Sequence, residues 1–316
     1  MDRTLLAHLP VVLAVHRRGG FSAAAADLGM SASAVSHAVQ AVEARLGQPL
    51  FARTTRSVRL TEAGVQFLSV LEPALADIAG AVDTARAAHG RVGGVLRLNA
   101  PRTALPMAVT PLLAEMTRRY PELTIEVTCD DGLADIVLGG YDAGIRLGHT
   151  VAQDMVAVRL TPPFDAIMVA TPDYIARCGE PASIAQLAGH NCIGYRFVTS
   201  GAVYDWDLRD DTRGAGAAVT AAVGGSVRVT DALYAKDLAL AGIGIAYLFE
   251  PLVASELRDG TLRQVLPRTA FREPGLFLYF PRRASQAPKL RAFIDVANER
   301  LRDVAGGARR ATRKPA

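Results

Sequence analysis

Cysteine is scarce in this chain, and its scarcity excludes several classes of protein. The 316 residues contain three cysteines, Cys129, Cys178 and Cys192. Their odd number and wide spacing fit a reducing compartment better than a disulfide framework, and no Cys-x-x-Cys pair suggests a metal site. The sequence therefore predicts no bound metal and no cofactor.

Catalytic motifs are missing as well. The chain has no Gly-x-Ser-x-Gly, no Walker-type loop and no His-Glu-x-x-His, and its six histidines are scattered. The glycines around residue 242 lack the spacing of a dinucleotide-binding loop. These absences argue against an enzyme. No basic start precedes an apolar core at the N-terminus, and no apolar run looks long enough to cross a bilayer. We therefore expect a cytoplasmic protein with no membrane partner.

Length and charge indicate what is present. A chain of 316 residues suffices for two or three compact units, and its 50% hydrophobic content allows a real core. The formal net charge is +4, and the sequence pI is about 9.1. Residues 1–62 hold seven arginines against four acidic residues, a net charge of +3. Most of the positive charge therefore lies near the N-terminus, where it would attract a polyanion.

Residues 22–61 read as helix, tight turn, helix and basic hairpin. Ser22 is predicted to cap the first helix, Gly29 to end it, and Ser31 to cap the second. One face of the second helix is predicted to be buried because apolar residues recur at three- and four-residue steps. These residues are Val35, Val39, Val42 and Leu46. A helix over residues 4–18 would supply the third side of the small core.

This order of elements is typical of a winged helix-turn-helix, in which one helix enters the major groove of DNA. Short polar side chains on its exposed face can reach base edges or phosphates, and hairpin arginines can contact phosphates or the minor groove. The candidate DNA-binding residues are Ser22, Ser31, Ala32, Ser33, Ser36, His37, Gln40, Arg53, Thr54, Arg56 and Arg59. The alternative is an ordinary helix pair with a solvated arginine loop, but the capped pair, basic hairpin and N-terminal position together favour DNA binding.

A long helix is predicted to follow, over residues 61–88. Its apolar positions step by three, four or seven residues, as in a coiled-coil seam, and Pro73 interrupts it. The seam residues are Val65, Leu68, Leu71, Leu75, Ile78 and Val82. We favour pairing with a second copy of the chain over an ordinary core helix, because this helix would join two domains and has few other partners.

Beyond a glycine-rich hinge at residues 90–94, strand and helix patterns alternate, which predicts an α/β architecture. Strands are predicted over 95–99, 123–128, 143–147, 166–170, 227–229 and 244–247. Helices are predicted over 105–119, 133–138, 172–177, 231–241 and 251–256.

Several motifs resemble those of the LysR-type transcriptional regulators, and the resemblance runs along nearly the whole chain. In the N-terminal part they are Phe21-Ser-Ala-Ala-Ala-Ala-Asp-Leu-Gly29, Ser33-Ala-Val-Ser-His37, Val42-Glu-Ala-Arg-Leu-Gly47, Leu50-Phe-Ala-Arg-Thr-Thr-Arg56 and Leu60-Thr-Glu-Ala-Gly64. Weaker motifs follow in the family's order at residues 94–101, 119–127, 142–148 and 240–248. One position departs from the family: Ala32 stands where a glutamine is frequent. A methyl group there removes a direct base contact or replaces it with an apolar contact to thymine.

The resemblance implies four segments: a winged helix-turn-helix over 1–60, a linker or dimerisation helix over 61–90, an effector-binding domain over 91–302 and a basic disordered tail over 303–316. The effector domain would be α/β and two-lobed, as in periplasmic binding proteins. Lobe one would take 91–162 and 268–302, and lobe two 163–267. The implied partners are double-stranded promoter DNA, a small-molecule effector, a homodimer or homotetramer, and RNA polymerase.

Ligands of open α/β sheets bind beyond the carboxyl ends of strands, where helix N-termini present their amides. The candidate effector-binding residues at such places are Pro101, Arg102, Thr103, Arg146, Leu147, Tyr195, Arg196, Phe197, Thr230 and Asp231. We expect a small anion or carboxylate held by Arg102, Thr103, Arg146 and Thr230. The alternative is that the threonines only cap helices and the arginines pair with Asp130, Asp131 or Asp135.

Three other functions remain open. Cys178 and Cys192 could form a redox sensor, as in some family members. The protein could be an effector-independent DNA-binding regulator. A pure solute-binding protein is disfavoured by the helix-turn-helix and by the missing export signal.

Overall fold

The chain forms two units in the computed structural model, which describes residues 3–53, 58–87, 92–132, 136, 139–150, 155–210 and 217–311. The first unit comprises residues 1–93 with 135–142, and the second comprises 94–134 with 143–316. The first contains the predicted helix-turn-helix and the long helix, and the second contains the predicted α/β domain.

The N-terminal unit has the order of a winged helix-turn-helix. Its elements are α1 (Arg3–Arg18), α2 (Phe21–Leu28), α3 (Ala32–Leu46), β1 (Phe51–Arg53), β2 (Val58–Leu60) and α4 (Glu62–Ala87). Strands β1 and β2 pair antiparallel as the wing.

Helix ends in this unit follow local chemistry at two of the three predicted positions. Gly29 ends α2 in the left-handed conformation, with φ 63°, and the Ser31 hydroxyl accepts a hydrogen bond from the backbone N–H of Ala34 at the start of α3. The prediction that Ser22 caps α2 is wrong. The helix begins at Phe21 with Gly20 as its N-cap, so Ser22 already lies in the first turn.

The N-terminal core forms where apolar stripes of α1, α3 and α4 meet. Val35, Val39 and Val42 are fully buried on α3, as their spacing predicts, whereas Leu46 is half-buried. Leu68 and Leu71 of α4 belong to the same core. The first half of the long helix is therefore part of the DNA-binding unit rather than a separate linker.

The predicted seam of α4 divides into two groups. Leu68 and Leu71 are buried in the core and Leu75 packs half-buried against it, whereas Val65, Ile78 and Val82 are exposed. The stretch Glu62–Val82 is long and apolar enough to cross a membrane by length and composition alone, contrary to our expectation from the sequence. One such helix is weak support for a span. Glu72, in its middle, accepts from the guanidinium of Arg17 on α1.

Lobe one of the effector unit is a five-stranded sheet in the order β4-β3-β5-β15-β6. Its strands are β3 (Gly94–Ala100), β4 (Leu123–Cys129), β5 (Ala143–Leu147), β6 (Met155–Arg159) and β15 (Leu276–Pro281). Strands β3, β4 and β5 are parallel, and β15 runs antiparallel to β5 and β6. A π-helical turn at Leu105–Val109 leads into α5 (Thr110–Arg119), which packs on α9 (Pro288–Ala311).

Lobe two is a six-stranded sheet with a two-stranded ribbon. The strand order is β11-β8-β12-β7-β13, and β14 also pairs with β7. The strands are β7 (Phe164–Ala170), β8 (Cys192–Tyr195), β11 (Arg228–Val229), β12 (Ile245–Phe249), β13 (Arg263–Val265) and β14 (Phe271–Glu273). The ribbon is β9 (Trp206–Asp210) with β10 (Ala217–Ala221), and the helices are α6 (Pro172–Cys178), α7 (Ala232–Leu240) and α8 (Glu250–Asp259).

The chain crosses between the lobes twice, and the second crossing differs from the prediction. Residues 160–163 lead from β6 to β7, and residues 274–275 lead back from β14 to β15. The predicted return at residue 268 is wrong because β14 pairs with β7 and so belongs to lobe two. Gly275 has φ 101°, and a Cβ there would lie 2.7 Å from the carbonyl oxygen of Thr161, so the two crossings touch closely.

The prediction of a disordered tail from residue 303 is wrong for residues 303–311. Helix α9 continues to Ala311, and residues 312–316 lie outside the described part of the chain. Gly306 and Gly307 each disfavour a helix by about 1 kcal/mol relative to alanine, but the flanking alanines and arginines are good helix formers. The helix predicted over 133–138 falls mostly on residues that the structure does not describe.

Candidate DNA-binding and effector-binding sites

The exposed face of α3 lies opposite its buried valines. Ser33, His37 and Gln40 are exposed, and Ser36 is half-buried beside them. Ala32 is exposed at the first turn, next to Ser31, whose Oγ lies 3.0 Å from Oγ of Ser33. Steps of three and four residues place these small polar groups on one side of the helix, as major-groove reading requires.

The wing is anchored to α3 by a carboxylate that the sequence did not single out. Oε1 of Glu43 accepts from the backbone N–H groups of Leu50 (2.8 Å) and Phe51 (3.2 Å) at the start of β1. Arg59 is exposed on β2, and Arg53 ends β1. Thr54 and Arg56, the other predicted wing contacts, lie outside the described residues.

In the effector unit, Arg102 and Asp231 join the two lobes. Arg102 follows β3 of lobe one, and its Nε lies 2.8 Å from Oδ2 of Asp231, which begins α7 of lobe two. The other oxygen, Oδ1, accepts from the backbone N–H of Leu233 at 2.9 Å and so caps α7. The structure thus brings two predicted effector residues together. They form an ion pair with each other, whereas the prediction had both of them bind a ligand.

Two further groups surround this pair. The backbone N–H of Arg102 donates to Oδ1 of Asp131 at 3.0 Å, and burial raises the pKa of Asp131 above its usual range. Burial also raises the pKa of Tyr195 to about 12, and the charges of Asp131 and Asp231 add to that rise. Asp131 therefore lies in the predicted site itself, although the sequence predicted it only as an alternative partner of the arginines.

Arg146 is buried, and its guanidinium is hydrogen-bonded to neutral groups. Its Nη2 donates to Oδ1 of Asn99 (2.6 Å) and to the carbonyl of Gly132 (2.6 Å), and its Nη1 donates to the carbonyl of Ile145 (2.7 Å). Nε of Arg146 and Nδ2 of Asn99 have no hydrogen-bond partner among the described residues. Arg146 therefore shapes the loop that carries Asp131.

The remaining predicted effector residues have different surroundings. The helical turn after Thr103 has Ala104 as its N-cap and no side-chain cap, and α7 is capped by Asp231 rather than by Thr230. Nε of Arg196 donates to the carbonyl of Gly201 within a tight hairpin. Phe197 is exposed. Pro101, Thr103 and Leu147 are half-buried, and Thr230 is exposed.

Aromatic side chains line lobe two from Tyr195 onward. The ring of Phe197 lies 5.6 Å from that of Tyr195 and 5.8 Å from that of Tyr204, and Tyr204 lies 6.2 Å from Tyr247. Trp206 stacks on Tyr247 at 5.5 Å. This wall contains two tyrosines and a tryptophan that the sequence analysis missed.

A buried acid, Glu273, lies near the far end of this wall. Its charge interacts with Tyr204 and Tyr247, and Asp207 interacts with it in turn. A sequence signal existed: Phe271, Arg272 and Glu273 alternate along β14, so Glu273 falls on the side of the strand opposite exposed Arg272.

These features define a class: a winged helix-turn-helix joined to a two-lobed α/β domain of the kind that binds small molecules. Residues 6–65 match the family described as "Bacterial regulatory helix-turn-helix protein, lysR family". Residues 89–302 match "LysR substrate binding domain". The chain belongs to the LysR family of transcriptional regulators.

Relatives and solved structures agree with this assignment. The chain is 38% identical to the HTH-type transcriptional regulator YcaN of Escherichia coli K12, over 89% of this chain and 91% of that protein. It is 36% identical to PgrR of the same organism, over 93% and 97%. The structure of CrgA from Neisseria meningitidis matches with TM-score 0.58 and 28% identity, over 93% and 98%. Full-length AphB of Vibrio cholerae, at 22% identity and TM-score 0.62 over 95% and 99%, supports the fold.

Proposed function

We propose that this protein is a sequence-specific regulator of transcription in the cytoplasm, and that a small carboxylate-bearing effector bound between the lobes changes its promoter binding. The observation that carries the proposal is the ion pair between Arg102 and Asp231. It joins the lobes through a carboxylate, so a free carboxylate can replace Asp231 on the same guanidinium. A ligand changes the conformation of a protein by binding one lobe arrangement more tightly than another. An effector carboxylate that replaces Asp231 on Arg102 would do so, because it breaks the ion pair between the lobes.

The DNA-binding half of the proposal rests on the α3 face and the wing. Arg59 is exposed and lies outside the core, so Arg59→Ala is expected to remove a phosphate contact without unfolding the unit. Binding to promoter fragments, followed by fluorescence anisotropy, should weaken by a similar factor for all sequences, and the slope of log affinity against log salt should fall by about 1. Arg258→Ala, an exposed arginine on α8, is the matched control.

The effector half is tested by thermal shift with acetate, butyrate, succinate and benzoate. We expect stabilisation by at least one carboxylate, which Arg102→Ala abolishes and Arg258→Ala does not. Asp231→Asn keeps an oxygen for the Leu233 N–H but removes the charge that competes for Arg102, so the same carboxylate should act at lower concentration. An unchanged response in Arg102→Ala would contradict this site.

Self-association through α4 is part of the same proposal. Val70 is 70% exposed and Ile78 is 61% exposed, so α4 keeps apolar groups in solvent after its core residues are buried. A second copy of α4 would cover them and form the homodimer, with a homotetramer as the larger assembly and RNA polymerase as a further partner at the promoter. Ile78→Lys is expected to shift sedimentation toward the monomer, and an unchanged sedimentation coefficient would contradict pairing through this face.

The alternative function, a redox sensor using Cys178 with Cys192, has one observation against it. Cys192 is buried, and burial raises the pKa of its thiol to about 11, so it holds little of the reactive thiolate at neutral pH. Cys178 is exposed. Loss of DNA binding after mild peroxide treatment, reversed by a thiol and absent in Cys192→Ser, would favour the alternative. An effector-independent regulator would show no thermal shift with any carboxylate.

A further inference from the structure

Glu273 is a buried carboxyl group whose Oε2 makes no hydrogen bond among the described residues but lies at ion-pair distance, 3.6 Å, from Nδ1 of His149. The residue is 4% exposed, and Oε2 has no hydrogen-bond partner among the described residues. It ends β14, immediately before the chain returns to lobe one at Pro274 and Gly275. A buried polar atom without a partner costs free energy in the folded protein, so its persistence at this position needs an explanation.

The surroundings of Glu273 add a second negative charge. Asp207 accepts from the hydroxyl of Tyr204 (2.6 Å) and from that of Thr220 (3.3 Å), and the hydroxyl of Tyr247 donates to its backbone carbonyl. These hydrogen bonds fix the position of Asp207, whose charge acts on Glu273. Two neighbouring acids that are both ionised repel each other unless a cation lies between them.

Two arginines near Glu273 make their contacts elsewhere, and one histidine lies at ion-pair distance from its carboxyl group. Nδ1 of His149 lies 3.6 Å from Oε2, beyond hydrogen-bond distance. Arg159 donates to the carbonyl of Pro274 and lies over the ring of Phe277, and Arg272 pairs with Asp165. Burial, with the charge of Asp207, accordingly raises the pKa of Glu273 to about 7. The folded protein thus disfavours the ionised form of Glu273, and a bound cation would stabilise that form.

Aromatic faces stand beside this acid. Tyr204, Tyr247 and Trp206 form the end of the aromatic wall, and aromatic faces attract organic cations through the negative potential of their rings. A carboxylate combined with an aromatic wall suits an ammonium group better than a metal ion. No group of three or more potential metal ligands occurs among the described residues.

We propose that the effector carries a cationic nitrogen, which Glu273 receives as a carboxylate against the wall of Tyr204 and Tyr247. The proposal rests on the proposed function, in which Arg102 takes the effector's carboxylate. Together the two groups define the effector class as a molecule with both an amine and a carboxylate. His149, whose Nδ1 lies 3.6 Å from Oε2, has a side chain that is 57% exposed to solvent.

The test uses n-butylammonium chloride and sodium butyrate as separate probes, with potassium chloride as the salt control. n-Butylammonium is expected to raise the Tm of the wild-type protein above the salt control, and Glu273→Gln to abolish that rise. Glutamine has the shape and charge of the protonated acid, so this variant should fold. Glu122→Gln, an exposed surface position, is the matched control and should respond as the wild type does.

A second readout separates a charge role from a packing role. Binding of the cation must drive the proton off Glu273, so calorimetry at pH 6 in two buffers of different ionisation enthalpy should show release of close to one proton per ligand. Glu273→Gln should show no such release. A Tm rise that is equal in Glu273→Gln, no rise above potassium chloride, or binding without proton release would each overturn the proposal.

The outcomes also distinguish this proposal from the proposed function. If butyrate stabilises the wild type and Arg102→Ala abolishes the effect, the carboxylate site stands whatever n-butylammonium does. If n-butylammonium acts through Glu273 while butyrate has no effect, the cation site stands and the role of Arg102 fails.

Discussion

In the N-terminal unit the polar groups that would meet DNA stand in solvent, whereas the effector unit combines a partly exposed ion pair, Arg102 with Asp231, with buried polar groups. Ser33 and His37 project from a helix whose opposite face is a closed apolar core. Asn99, Arg146 and Glu273 are each less than a tenth exposed and each keep an atom without a hydrogen-bond partner among the described residues. The core of the N-terminal unit has one buried atom of this kind, Oε2 of Glu72, and it lies away from the DNA-facing groups, whereas the effector unit has three residues with such atoms.

The largest expected effect tests the closed core of the N-terminal unit. Leu68→Ala leaves a cavity among α1, α3 and α4, so the free energy of unfolding should fall by about 2 to 5 kcal/mol. Gln66→Ala, an exposed position on the same helix, should change it by less than about 0.5 kcal/mol. Urea unfolding followed by circular dichroism measures the free energy of unfolding of both variants. Equal losses in the two would mean that Leu68 does not pack in the core.

The next effect tests the buried acid in the effector unit. The folded protein holds the proton of Glu273 up to a pKa of about 7, whereas an unfolded glutamate releases it near pH 4.3. Its stabilising contribution is therefore complete below about pH 4.3 and is lost as the pH rises through about 7. That loss should be on the order of 3 kcal/mol, and Glu273→Gln should remove it from the pH profile of urea unfolding. If the pH profile of Glu273→Gln were identical to that of Glu122→Gln, the raised pKa would not belong to Glu273.

The smallest effect sharpens the description of the DNA-binding surface. Ser31→Ala removes the hydroxyl that accepts from Ala34 and should cost about 1 kcal/mol of unfolding free energy. Ser22→Ala is the matched control, because Ser22 lies within the first turn of α2 and caps nothing there. Thermal denaturation should rank the two variants in that order, and the reverse order would restore the cap predicted from the sequence.

Local patterns account for most of what the sequence predicted. The valines of α3, the left-handed Gly29 and the Ser31 cap depend on residues within one or two turns, and the structure confirms them. The predicted cap at Ser22 was wrong for a related reason. A serine caps a helix only if the helix starts directly after it, and α2 starts two residues earlier, with Gly20 as its N-cap.

Long-range pairing explains what the sequence could not show. The seven strands β6, β8, β9, β10, β13, β14 and β15 were not predicted. The return crossing was misplaced because the partner of β14 lies far away in sequence on β7. The same holds for the site. Arg102 and Asp231 were both named as effector residues, but their mutual pairing depends on how two lobes close.

The ion pair between Arg102 and Asp231 has a consequence for the response of the cell. Under the proposed function Asp231 would act as a tethered competitor, because α7 holds its carboxylate beside Arg102 at a high effective concentration. An effector that binds as proposed would have to outcompete this carboxylate, and that competition would set the effector concentration at which the regulator responds. Substitutions that loosen or tighten the start of α7 would change that concentration without altering any contact to the effector. The sensitivity of the regulator could therefore change while its choice of effector stays the same.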